Sequence, residues 1–346
     1  LNPMPEERDL NAAESPAPGA ARRRVWWWVR LALVLGMIAG IVIIAKPARL
    51  WQTLASAKYL WAVAAVPFAV AAVSLDALKL YWLMKPQGFR GGWWAVARTN
   101  LVVNFVSLFL PGTLGGSAVA WYRLSRPDNL RAQTFVALTV NTVLKLVVVA
   151  GAGALALALD ARGKEIYQAL ILPLLILAAL PLVALALMLW TGSLAWLRRI
   201  HADSLARFMP GRIHDAATKM LESLEAYRSN PLWIIGCLGV GIARKLCENL
   251  LVLIALQAVG VEVDFIRLLW IMCAVEAIGM TPLTLTGVGL PQVTYVGLLA
   301  AFSVGADRAL ASQVVAWVAA LPLYLAAVGI MLTEPSRGSQ DPASQR

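Results

Sequence analysis

The sequence is poor in charge. Asp, Glu, Lys and Arg make up 14% of its 346 residues, where soluble domains carry about a quarter. That shortage excludes an ordinary soluble domain. Histidine is nearly missing: His201 and His214 lie in a polar stretch with no partner pattern, so neither receives a role. Cys237, Cys247 and Cys273 sit inside apolar runs without metal-ligand spacing and read as buried thiols. There is no G-x-S-x-G, no H-E-x-x-H and no Walker-type loop. The stretch "GTLGG" is glycine-rich, but no strand precedes it, so it is not a nucleotide loop. The chain is expected not to be an enzyme and to need no metal and no cofactor.

What the sequence has in excess is apolar length. Hydrophobic residues make up 60% of it, and the mean hydropathy is +0.71. Several runs exceed the roughly 18 residues a bilayer-spanning helix needs. The fold class is all-α, a polytopic membrane protein. The net charge of +11 does not call for nucleic acid, because Lys and Arg gather at the cytoplasmic ends of spans.

Residues 1–21 are rich in Pro, Ala and acidic side chains and are expected to form a disordered cytoplasmic tail. Arg22, Arg23 and Arg24 then precede an apolar run with no A-x-A-like cleavage site, which reads as a first span with its N-terminus inside. Further spans are expected at Tyr59–Met84, Arg131–Leu159, 167–190, 233–259 and 309–332. The basic stretch 191–230 suits an amphipathic cytoplasmic linker. Residues 334–346 read as a second disordered tail, and 22–333 as the membrane domain.

Two apolar segments, 93–125 and 265–303, are interrupted. The first break is "PGTLGG", with Pro111, Gly112, Gly115 and Gly116; the second is "TPLTLTGVGLP", with Pro282, Gly287 and Gly289. The distribution of Lys and Arg puts both ends of each segment on one face, which predicts two re-entrant hairpins entering from opposite sides. The alternative is that one or both simply cross as kinked helices. With hairpins the plan is about six full spans in an inverted repeat, each unit reading span, hairpin, span. An offset of 173 pairs Gly116 with Gly289 and Tyr122 with Tyr295. Broken backbone in lipid costs several kcal/mol per unsatisfied group and survives only beside protein or a water-filled cavity. Opposed breaks therefore point to a polar cavity near the midplane. The second arm of the first hairpin is expected to start near Gly115–Ser117, its N-terminus facing that cavity and suited to a phosphate.

Ionisable residues at depth are costly and usually functional. Lys145, Arg244, Lys245, Glu248 and Glu276 fall near the middles of apolar segments. Asp76 and Lys79 at i,i+3 read as a local pair, and so do Arg244 and Glu248 at i,i+4. Three deep cations against two deep carboxylates leave an excess positive charge, which a phosphate headgroup would match. Asn100, Asn104 and Ser107 form a polar stripe suited either to substrate or to interhelical hydrogen bonds. Thr281, Thr284 and Thr286 crowd the second break.

The segments "LPGTLGGSAVAWYRLSR" and "TPLTLTGVGLPQVTYVGLLAAFSV", in a chain of this hydropathy, resemble the lysylphosphatidylglycerol synthase transmembrane regions, also called flippase-like membrane proteins. The resemblance covers residues 25–333. It implies a domain that moves lipids with charged or glycosylated headgroups between leaflets; the expected location is a bacterial inner membrane, and the distribution of Lys and Arg puts both termini in the cytoplasm. The family's fused aminoacyl-transferase domain has no counterpart in these residues, so synthase activity is not expected. The family's Asp and Arg after the paired glycines are here Ser117 and Ala120, its Arg-Glu after the second break is Pro291–Gln292, and its Glu-Arg pair is Leu144–Lys145. Arg123 remains as a basic residue in that helix. The expected substrate is a phospholipid or polyprenyl-linked lipid. The other reading is a scaffold that presents a lipid to a neighbouring lipid-modifying enzyme or glycosyltransferase.

Overall fold

The computed structural model describes residues 47–108, 112–126, 128–160, 211–228, 231–280 and 290–333, with a few positions between 175 and 186. The expected spans before residue 46 and at 167–190, both tails, the linker up to residue 210, and the break residues Pro111, Pro282, Gly287 and Gly289 lie outside the described residues.

In chain order the helices are α1 (Pro47–Ala55), α2 (Tyr59–Met84), a 3-10 turn (Lys85–Gln87), α3 (Trp93–Val106), α4 (Gly112–Ser125) and α5 (Arg131–Leu159). They continue as α6 (Gly211–Arg228), α7 (Pro231–Ala258), α8 (Phe265–Gly279), α9 (Leu290–Ala300) and α10 (Ala306–Thr333). The protein is all-helical among the described residues. Among those residues three helices, α2 with its 3-10 extension, α5 and α10, are long and apolar enough to cross a membrane. The 28 residues of α7 match them in length, but Arg244, Lys245 and Glu248 interrupt its apolar run. These four helices coincide with the expected spans within three residues at either end.

The other pairs are shorter. Helices α3 and α4 have 14 residues each, α8 has 15 and α9 has 11. At a rise of about 1.5 Å per residue each covers roughly 16–23 Å, less than the ~30 Å hydrocarbon core. Within each pair the two arms pack on one another.

The long–short–short–long order occurs twice, and the packing repeats with it. Exchanging α1 through α5 for α6 through α10 carries each major helix contact onto another: α5 on α8 becomes α10 on α3, and α2 on α7 maps onto itself. Helices α2 and α7 run antiparallel. The Lys58 amide donates to the Ala258 carbonyl at one end, and the Trp233 indole donates to the Trp82 carbonyl at the other. The backbone turns repeat too. An offset of 172 carries Gly88, φ 82°, onto Gly260, φ 73°. Both glycines follow a long helix and supply a left-handed residue where a side chain would be strained. Along α2 and α7 the same offset superposes buried Ala62, Ala65, Ala77, Leu80 and Leu83 on buried Ile234, Cys237, Asn249, Val252 and Ala255.

Two apolar cores result, one at each end of the bundle. The first gathers Leu157, Leu256, Leu268, Trp270, Tyr295 and Leu299. The second gathers Leu83, Met84, Val96, Leu124, Leu144 and Ile234. Helix α6 closes the second core through Tyr227, whose hydroxyl donates to the Leu83 carbonyl at 2.6 Å. Gln87 donates to the Ser223 carbonyl beside it. Exposed Trp51, Tyr59 and Trp61 ring one end, and exposed Trp93 and Trp94 the other, as aromatic residues do at the two membrane–water interfaces.

Candidate functional site

Between the two cores lies a charged layer. Four cations and three carboxylates meet there: Lys79, Lys145, Arg244, Lys245, Asp76, Glu248 and Glu276. They come from α2, α5, α7 and α8. The antiparallel crossing of α2 and α7 puts their mid-helix residues at one level, and α5 and α8 join on the same side. The expected local pairs form, with Lys79–Asp76 at 3.4 Å and Arg244–Glu248 at 3.6 Å. They are not separate, however. Arg244 also reaches Asp76 at 3.5 Å and Glu276 at 3.7 Å, joining all seven groups. Lys79 is buried rather than snorkelling. Gly241 brings the α7 backbone close to it: a Cβ there would stand 3.9 Å from the Lys79 stem and 3.3 Å from Val148 Cγ2.

The layer has a tight half and a loose half. On the tight side Glu276 accepts from Lys245 at 2.6 Å and pairs with Lys145 at 2.8 Å. Lys145, for which helical spacing offered no local partner, thus has a carboxylate on α8. On the loose side Arg244 holds three carboxylates at 3.5–3.7 Å, beyond good hydrogen-bond length. The Glu248 Oε2 atom is buried and accepts no hydrogen bond among the described residues.

A cavity of about 270 Å³ opens on the loose side. Asp76, Arg244, Glu248, Asn104 and Tyr324 give it a polar floor; Leu101, Leu108, Leu251 and Leu323 are among its apolar walls. Its position follows from the repeat. The 172 offset places Val73 where the second unit has Lys245, Ala72 where it has Arg244, and Asn104 where it has Glu276. In α5 and α10 an offset of 175 superposes buried Thr134, Val136, Ala137 and Val140 on buried Ala309, Ala311, Ser312 and Val315. It places Ala320 where Lys145 stands. All four replacements line the cavity. The cavity is therefore the two-fold image of the Lys145–Lys245–Glu276 cluster, opened by smaller side chains.

The structure gathers Lys145, Arg244, Lys245, Glu248 and Glu276 and brings Asn104 to the cavity. The remaining predicted residues stand elsewhere. Arg123 is in the last turn of α4, beside Leu124 of the second apolar core. Asn100 is buried and donates to the Val73 carbonyl, tying α3 to α2. Helix α4 starts at Gly112, so Gly115 and Gly116 lie inside it and not at its start. Gly116 serves close packing: a Cβ there would run into the hydroxyl of Ser107, the residue that follows α3. Asp76 and Tyr324 of the cavity are not in the predicted site. Asp76 was visible as a charge at depth, whereas Tyr324 gives no signal beyond an aromatic in an apolar helix.

A second polar constellation pins α5 to α8 near one end of the bundle. Buried Asp160, just past the end of α5, accepts from Arg267 Nε and Nη2 at 3.0 Å each and from the Trp270 indole at 2.9 Å. Arg267 also stacks over the Phe302 ring at 4.5 Å. The sequence places Asp160 in a connector and gives no hint of this bidentate pair.

No curated protein and no solved structure matches the chain. A family model, lysylphosphatidylglycerol synthase TM region, matches residues 27–328. The chain, a multi-pass membrane protein, therefore belongs to the family of lysylphosphatidylglycerol synthase transmembrane regions.

Proposed function

We propose that the protein is a non-enzymatic translocator that carries a lipid with a phosphate-containing headgroup between leaflets through the charged layer. The carrying observation is Arg244. It lines the cavity, and none of its carboxylates is closer than 3.5 Å. A phosphate is a better match for its planar fork, which binds such anions bidentately. The layer as a whole has one more cation than carboxylates. The short paired arms α3–α4 and α8–α9 are read as re-entrant hairpins from opposite faces, in keeping with the antiparallel α2–α7 crossing. The membrane is a bacterial inner membrane, with both termini in the cytoplasm.

A scaffold that binds a lipid for a neighbouring enzyme is the second reading. The filled twin of the cavity favours it, since only one of the two related sites is open. Liposomes with fluorescent phospholipid separate the two. Wild-type protein is expected to scramble the lipid and Arg244→Gln to lose scrambling while still folding, because every carboxylate it touches keeps a lysine partner. Binding without scrambling in the wild type selects the scaffold. Unchanged scrambling by Arg244→Gln removes Arg244 from the path.

A further inference from the structure

The cavity volume sets a constraint. About 270 Å³ lies below the ~300–1,000 Å³ of pockets that enclose a drug-sized ligand. A headgroup fits; its hydrocarbon chains do not. A lipid held here must pass its chains out between two helices.

The two-fold relation offers two seams for this, α5–α8 and its image α3–α10. The first is locked. Lys145–Glu276 crosses it at mid-height and the Asp160–Arg267 pair at its end, and Gly153 lets Cys273 pack against the α5 backbone. The second has no such lock among the described residues. From Ala309 to Thr333 helix α10 has no Asp, Glu, Lys, Arg or His, and the only charged residue of α3 is Arg98. Phe105 and Tyr324 meet across it, ring centroids 6.3 Å apart. Half of the most apolar stretch of α5 is buried, against 17% in α10. Pro322 stands inside α10 between the cavity residues Ala320 and Leu323. It removes one rung of the helix hydrogen-bond ladder at that level; α5 has no proline.

We propose that the α3–α10 seam is the lateral portal of the cavity: the headgroup enters between these helices while the chains remain in the bilayer, and the α5–α8 seam stays shut as the fixed side. This rests on reading the cavity as a headgroup site, and it serves transport and presentation alike.

The test uses the full chain, free of its native cysteines, in liposomes of phosphatidylglycerol and phosphatidylcholine. A phosphatidylglycerol with a photoreactive acyl chain is cross-linked and its adducts mapped by mass spectrometry. Adducts concentrated on α3 and α10 beside the cavity, and reduced by soluble glycerol phosphate, support the portal. Adducts spread evenly over the lipid-facing helices, or concentrated at α5–α8, overturn it. In a second arm, Phe105→Cys/Tyr324→Cys is bridged with a short, reducible bis-thiol reagent, and Asp160→Cys/Arg267→Cys is bridged the same way. Scrambling is expected to fall at least tenfold in the first pair, to return on reduction, and to stay unchanged in the second. A bridged first pair that scrambles at its unbridged rate overturns the portal. If the unbridged protein does not scramble at all, translocation fails, and the adduct map alone decides the portal.

Discussion

Glu276 is the most exposed test of the charged layer's energetics. It holds Lys245 at 2.6 Å and Lys145 at 2.8 Å, and the Lys245 side chain is 2% exposed. Glu276→Ala strands Lys245, leaving it only Glu248 at 3.7 Å. Breaking a buried pair from one side costs about 3–5 kcal/mol. Lys145→Ala is the control. Its loss strands no carboxylate, because Glu276 keeps Lys245 and Arg244; the expected loss is about 1 kcal/mol. The two variants should differ by at least about 2 kcal/mol, more than tenfold in the folding equilibrium at ~1.4 kcal/mol per decade. Buried Cys237 and Cys273 are native reporters, because a thiol-reactive fluorophore reaches them only on unfolding. Melting followed this way should rank wild type and Lys145→Ala close together and Glu276→Ala well below. Equal melting of Glu276→Ala and Lys145→Ala would refute the ion-pair account of the layer.

Gly116→Ala should already destabilise the α3–α4 pair, and Gly116→Val more so. The double change Gly116→Ala/Ser107→Gly should recover much of the melting temperature, which a turn-forming role for Gly116 does not allow. Asp160→Asn should weaken the α5–α8 pin by about 1–3 kcal/mol while leaving lipid scrambling at the wild-type rate in the folded fraction. Burial pushes the Tyr227 phenol above its usual value. The unfolded chain ionises there near pH 10 and the folded protein does not, so this contribution to stability is full below pH 10 and lost above it. Tyr227→Phe should flatten that alkaline decline in melting temperature.

Much of the architecture was legible because it is written in run length. Tyr59–Met84 and Arg131–Leu159 are bounded by polar residues at both ends, and the structure returns those bounds. The interrupted segments were legible for the same reason, since Pro and Gly clusters cannot sit mid-helix in lipid. What the breaks do locally was not. "PGTLGG" reads as one irregular unit, yet the helix resumes at Gly112 and Gly116 is a packing position. Glycine density alone does not tell a turn from a close helix crossing; the partner, here Ser107, decides it.

The site shows a deeper limit. Each charge at depth was visible as a letter, and the i,i+3 and i,i+4 pairs followed from helical spacing. The bridge from Arg244 to Asp76 required the antiparallel crossing of α2 on α7, which no local pattern encodes. The cavity is harder still, because it is made by residues with nothing to mark them. Ala72, Val73 and Ala320 are ordinary apolar letters in apolar helices. They become informative only beside Arg244, Lys245 and Lys145, which occupy the same places in the other unit. A symmetric repeat would have filled both sites with ion pairs or opened both. Here one copy keeps the charges and is locked, and the other keeps Asp76 and Asn104 but gives up the bulk. The open copy therefore borrows its cation across the axis, from Arg244. This makes a reciprocal prediction. Ala320→Lys with Asn104→Glu should rebuild part of the locked cluster in the cavity, raise the melting temperature or leave it unchanged, and abolish lipid binding. If that variant still binds lipid as the wild type does, the space between α3 and α10 is not where the headgroup sits.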